Sequence, residues 1–140
     1  MLIHLSPNNP KPMYEQVVDE IERLIATGIM APGEMLPSIR ALSKELMTSG
    51  ITIRRAYQEL ERSGFIYTRA GKGSFVSSLS ETKLTQWKMS QVQEPLRESI
   101  QRAKNLQLSE AQFLKVTKQL WTDSNEEEQF NGQEVEKDDQ

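Results

Sequence analysis

Cysteine is absent from this 140-residue chain and histidine occurs once, which removes much of the usual raw material of catalytic and metal chemistry. Without cysteine there is no disulfide, no thiolate nucleophile and no cysteine-ligated zinc. The one histidine, His4, lies ahead of the first helical pattern in a stretch expected to be mobile. A Ser-His-Asp triad or a histidine-rich metal site would have to be assembled around it. No nucleotide-binding glycine motif is present. Neither an enzyme nor a bound metal or cofactor is expected.

Long apolar runs are missing too. None approaches the ~20 residues that span a bilayer, and the start, Met1-Leu-Ile-His-Leu-Ser-Pro, lacks the basic region and apolar core of a signal peptide. A cytoplasmic protein without a membrane partner is expected. The length suits one compact domain plus an appendage.

The formal charge of -3 is small, but its distribution is uneven. From Asp123 to Gln140 eight carboxylates face only Lys137. Such a segment, with few apolar residues, reads as an acidic disordered tail over 123–140. Between Leu36 and Phe75, Arg40, Lys44, Arg54, Arg55, Arg62, Arg69 and Lys72 outnumber Glu45, Glu59 and Glu61. A basic stripe therefore occupies the middle of the chain.

Helical spacing appears at Tyr14, Val17, Val18, Ile21, Leu24 and Ile25, predicting a helix over 13–27 that Gly28 closes. Ser38 precedes Ile39, Leu42 and Leu46 and is placed to cap a short second helix. Ser49 caps a third, with Ile53, Ala56, Tyr57 and Leu60 as its buried stripe and Gly64 as its stop. Two helices joined by about three to four residues have the spacing of a helix-turn-helix. Phe65 to Val76 then reads as a β-hairpin around Ala70-Gly71-Lys72-Gly73.

Helical spacing returns at Leu84 and Trp87, and again at Leu96, Ile100 and Ala103, where Pro95 is expected to start or kink a helix. Ser109 and Gln112 have the spacing of a capping box, and Leu108 and Phe113 that of a hydrophobic staple. The helix they open carries Phe113, Leu114, Thr117, Leu120 and Trp121 on one side.

In a helix-turn-helix the second helix enters the major groove while its neighbours grip phosphate. With its apolar stripe buried, the third helix turns Thr52, Arg54, Arg55, Gln58, Glu59 and Arg62 outward, and Thr52 and Arg55 are neighbours near the leading end. Arginine there can fork onto guanine O6 and N7, and threonine can meet a base edge or a phosphate. The alternative is that these arginines solvate a helix face and pair with Glu59 or Glu61. Ser38 and Arg40 open the preceding helix, where free N–H groups favour a phosphate; capping alone also accounts for Ser38. Gly71-Lys72-Gly73 allows positive φ and a close approach with one cation at the tip, although such a turn also marks a plain tight hairpin.

Taken together, Pro12-Met-Tyr-Glu-Gln, Gly28-Ile-Met-Ala-Pro-Gly33, Leu36-Pro-Ser-Ile-Arg40-Ala-Leu, Thr52-Ile-Arg-Arg-Ala-Tyr57-Gln-Glu-Leu, Gly64-Phe-Ile and Gly71-Lys-Gly-Ser-Phe-Val76 resemble the GntR family. The resemblance covers roughly residues 10 to 77. It implies a mainly α winged helix-turn-helix domain with a small β-hairpin wing over 10–78, and a DNA surface at Ser38, Arg40, Thr52, Arg55 and the Gly71-Lys72-Gly73 wing. Ser49, Arg54 and Gln58, on or beside the third helix, complete the candidate set. The turn departs from the family pattern at Gly50 and Ile51.

The short C-terminal part resembles that of the YtrA-like subfamily, whose helical region over 79–122 would dimerise, and whose members commonly repress ABC-transporter operons and themselves. Independently, Trp87, Leu96, Ile100, Phe113, Leu114, Thr117, Leu120 and Trp121 form an apolar set too large for two short helices to bury alone, the mark of an association surface. A homodimer would offer two recognition helices to an inverted repeat in double-stranded operator DNA. Folding back onto the winged helix is the other use of that set. A winged-helix scaffold for protein partners is the competing function. No residue identifies an effector.

Overall fold

The computed structural model describes residues 3–138, with side chains as far as Gln129. The element order is α1 (Met13–Ala26), α2 (Ile39–Glu45), α3 (Gly50–Arg62), β1 (Ile66–Arg69), β2 (Gly73–Val76), α4 (Glu81–Asn105) and α5 (Glu110–Asp138). The chain divides into two compact units, residues 1–88 and 89–140.

In the first unit the apolar stripes foreseen from spacing meet in one core. Val17 and Ile21 of α1, Leu42 of α2, Ile53, Ala56 and Leu60 of α3, and Val76 of β2 are fully buried. Each Val, Leu or Ile side chain so buried contributes roughly 1.5–3 kcal/mol. Ser38 Oγ accepts from Ala41 N at 3.0 Å and Ser49 Oγ from Thr52 N at 3.1 Å, so both predicted caps are formed.

The hairpin is antiparallel with Ile66 opposite Val76 and Arg69 opposite Gly73. Its outer edge is covered by a segment that the sequence reading missed. Val76 N donates to Glu34 O and Leu36 N to Ser74 O, each at 2.9 Å, with Met35 bridged to Phe75. A stretch this short, between Pro32-Gly33 and Pro37, has no alternation from which to infer a strand.

The N-terminal stretch expected to be mobile is held in place over its described residues. Ile3 is buried. The buried Gln16 amide accepts from Ser6 N and donates to the carbonyls of Ser6 and Lys11, at 3.0, 3.2 and 3.0 Å. One side chain thereby fixes a loop that has no periodicity of its own.

Helix α4 runs from Glu81 through Pro95 to Asn105, so Pro95 does not start a helix, the first of the two roles expected of it. Pro95 removes one N–H from the ladder and strands the carbonyl of Gln91. Gln91 is exposed, so that carbonyl is not left unpaired in an apolar interior. In the second unit a turn at Leu106–Ser109 leads into α5 through the predicted capping box: Gln112 N donates to Ser109 Oγ at 3.1 Å, and Ser109 N to Gln112 Oε1 at 2.9 Å. Helix α5 then extends to Asp138. The acidic stretch from Asp123, expected to lack structure, is helical that far; Asp139 and Gln140 lie outside the described residues. Glu, Gln and Lys are good helix formers, and the capped start supplies the nucleus they extend.

Candidate nucleic-acid interface

Helix α3 is held by its buried face and by one side-chain hydrogen bond. Its apolar stripe sits in the core, and the Tyr57 hydroxyl donates to Pro37 O at 2.7 Å, tying α3 to the entry of α2. Burial, reinforced by Glu45, raises the Tyr57 pKa far above its ordinary value, so the phenol remains a donor. Tyr57 also forms part of a concavity of about 540 Å³ whose rim carries Ser38 and Arg40 from α2 with Lys72, Gly73 and Ser74 from the wing. Four of the predicted contacts, Ser38 and Arg40 at the start of α2 and Lys72 and Gly73 of the wing, thus share one hollow.

Arg40, Arg54, Arg55, Gln58 and Lys72 are exposed. Arg62 is engaged with Glu59 at 2.5 Å. Among the described residues no ion pair is formed by Arg40, Arg54, Arg55 or Lys72, and their charges stand open to an anion. Thr52 is half-buried, its hydroxyl 2.8 Å from Ser49 Oγ. Gly71 and Gly73 have φ of 74° and 119°, the left-handed geometry that the tip requires and that a side chain would strain.

Two residues passed over by sequence reasoning belong beside this set. Tyr14 of α1 lies under Arg55, whose guanidinium carbon is 3.8 Å from the ring centroid. Arg69, at the end of β1, is exposed next to the wing tip, where its carbonyl accepts from Lys72 N at 3.0 Å. The first pair comes from tertiary packing and leaves no trace in local spacing. The second was visible as part of the basic stripe.

The predicted association residues separate. Trp87 is placed in the first unit: its indole N–H donates to Glu22 at 2.5 Å and its ring stands edge-on to Phe65, 6.0 Å between centroids. In the second unit Leu96, Ile100, Phe113, Leu114 and Thr117 line an apolar groove of about 450 Å³ with Ala103 and Leu108. Leu120 and Trp121 continue along α5, 61% and 74% exposed.

The sequence pattern of the bacterial regulatory proteins of the gntR family matches residues 13–76. The HTH-type transcriptional repressor YtrA of Bacillus subtilis (strain 168) is 37% identical over 99 residues, covering 71% of this chain and 76% of that protein. The chain belongs to the GntR family. As a GntR protein it is a DNA-binding transcription regulator and not an enzyme. Among solved structures it is similar to a GntR family transcriptional regulator from Listeria monocytogenes, with a TM-score of 0.68 at 28% identity, covering 80% of this chain and 97% of that one. It is also similar to YtrA from Sulfolobus acidocaldarius, described as a GntR-family transcription factor, with a TM-score of 0.54 at 30% identity over 66% of this chain and 97% of that one. The winged helix of this GntR regulator, helical with a two-stranded antiparallel hairpin, is that of its family, and helices α4 and α5 follow it. No helix among its described residues is long and apolar enough to cross a membrane.

Proposed function

We propose that this GntR regulator is a sequence-specific repressor that binds an inverted-repeat operator as a homodimer in the cytoplasm. Helix α3 enters the major groove with Ser49, Thr52, Arg54, Arg55 and Gln58. Ser38 and Arg40 with the Gly71-Lys72-Gly73 wing hold the flanking phosphates. The reading is carried by the hollow that joins Ser38, Arg40 and Lys72 beside α3, since cations converging from separate elements suit a polyphosphate better than they suit one another. The exposed apolar groove between α4 and α5 supports pairing of two chains through the second unit. The likeness to the repressor YtrA favours repression, and the subfamily resemblance points to an ABC-transporter operon and the regulator's own gene.

Footprinting on the DNA upstream of its own gene, followed by anisotropy titrations across a salt series, tests this. A protected inverted repeat whose affinity falls steeply with salt is the expected result. An absent footprint with weak, sequence-indifferent binding would instead favour a winged-helix scaffold for a protein partner.

A further inference from the structure

Arg55 projects from α3, yet its guanidinium is not left to wander. Its natural ion-pair partner one turn on, Glu59, is taken by Arg62. The guanidinium instead lies over the ring of Tyr14 from α1. Cation and ring attract through the ring quadrupole at this separation. Tyr14 is half-buried, and its hydroxyl donates to Glu15 Oε1 at 3.1 Å, which holds the phenol as a neutral donor. Helices α1 and α3 share the buried core through Val17, Ile21, Ile53 and Ala56, so the ring is a platform fixed to the same body as the recognition helix.

A guanidinium whose central carbon lies only 3.8 Å from a ring centroid fits best face-on, which uses its face and leaves its N–H edge free. All five donors lie in the plane, and among the described residues none of those on Arg55 is engaged by a hydrogen bond. We propose that Tyr14 is a positioning residue for base readout: its ring orients the Arg55 guanidinium so that the forked edge, rather than a freely rotating cation, meets a guanine. The inference rests on the reading of α3 as the recognition helix. A preorganised fork loses less freedom on binding than a mobile one, so the stack sharpens discrimination more than it adds affinity.

The test uses the full chain, the footprinted operator duplex and duplexes with single base-pair changes in each half-site. Arg55→Ala should relax discrimination at one base pair per half-site. Tyr14→Leu and Tyr14→Gln should each relax the same base pair by roughly twofold to fivefold. Tyr14→Phe, which keeps the ring, should discriminate like the parent. Addition of Tyr14→Leu to Arg55→Ala should cost nothing further. Thermal unfolding of each variant separates loss of fold from loss of orientation, and the salt slope should stay at the parent value because no phosphate contact is removed. If Arg55→Ala relaxes the base pair while both non-aromatic Tyr14 variants, folded, discriminate normally or weaken on every duplex alike, the stack has no role in readout and the proposal is overturned alone. If Arg55→Ala leaves discrimination intact, the assignment of Arg55 to a base is overturned along with it.

Discussion

Trp87 and Glu22, far apart in the chain, meet in a 2.5 Å hydrogen bond in which the indole N–H donates to the carboxylate. Phe65 stands against the same ring. The opening turns of α4 are thereby fastened to α1 within the winged-helix unit, and an aromatic residue expected in the association surface packs, half-buried, against the core of its own chain.

This bond predicts a pH signature. Burial raises the Glu22 carboxyl above the ordinary value of 4.5, the Trp87 N–H works against that rise, and Asp19 adds to it. A carboxyl raised by folding holds a proton that the unfolded chain has released, so this contribution is complete below pH 4.5 and is lost as pH climbs through the folded-state value. Trp87→Phe should move that window upward and cost about 1–3 kcal/mol near neutrality, where the acceptor is charged. Urea unfolding followed by circular dichroism should show a smaller deficit in acid, where the carboxyl is neutral in both states.

Leu42 is the buried residue of α2 and is fully covered. Leu42→Ala should destabilise the first unit by about 2–5 kcal/mol, measurable by urea denaturation. The loss also loosens the helix that carries Ser38 and Arg40, so operator affinity should fall even under conditions where the variant remains folded.

Helix α3 ends with Gly64 at φ 83°, closed by Phe65 N donating to Leu60 O at 2.9 Å. Helix α2 closes in the same way, by Thr48 N donating to Ser43 O at 3.0 Å, but with Met47 at φ 52° in the left-handed place. Met47 is 92% exposed, so its side chain has little packing to offset that strain. Met47→Gly should stabilise the protein by roughly 0.5–1 kcal/mol, seen as an upward shift of the unfolding midpoint.

Lys72→Ala at the wing tip should weaken every duplex by a similar factor and lower the slope of log K against log salt by about one. Anisotropy titrations on operator and unrelated DNA at several salt concentrations check it. A loss confined to the operator would mean that Lys72 reads a base.

A charge placed in the apolar groove tests the pairing of chains. Leu114→Glu, at a side chain already 55% exposed, should leave the winged helix folded and shift sedimentation toward the monomer. Operator affinity should fall at least tenfold, about 1.4 kcal/mol. Removal of 123–140 should leave affinity unchanged.

Local rules carried most of the architecture. The caps at Ser38, Ser49 and Ser109 and the stop at Gly64 were legible because capping depends on a few consecutive residues whose chemistry is local. The stripes of α1 and α3 and the hairpin were legible because amphipathic period reports which face is buried. The same locality explains the misses. The strand-like segment at 34–36 exists only because β2 offers it an edge, and the N-terminal stretch is ordered only because Gln16 reaches back to it. Pro95 sits within a helix at an exposed stretch, where the missing N–H leaves no buried carbonyl unpaired.

From the amino-acid order alone came the outward arginines of α3, the cation at the wing tip and the apolar character of the C-terminal helices, since period, charge and cap chemistry act over one or two turns. Tertiary structure decided the partner of each. Arg62 is paired with Glu59 while Arg55 lies on Tyr14, Ser38 shares a hollow with Lys72, and Trp87 packs against the core while Trp121 faces solvent. Which neighbour a side chain meets depends on packing between distant segments, and no local pattern encodes it.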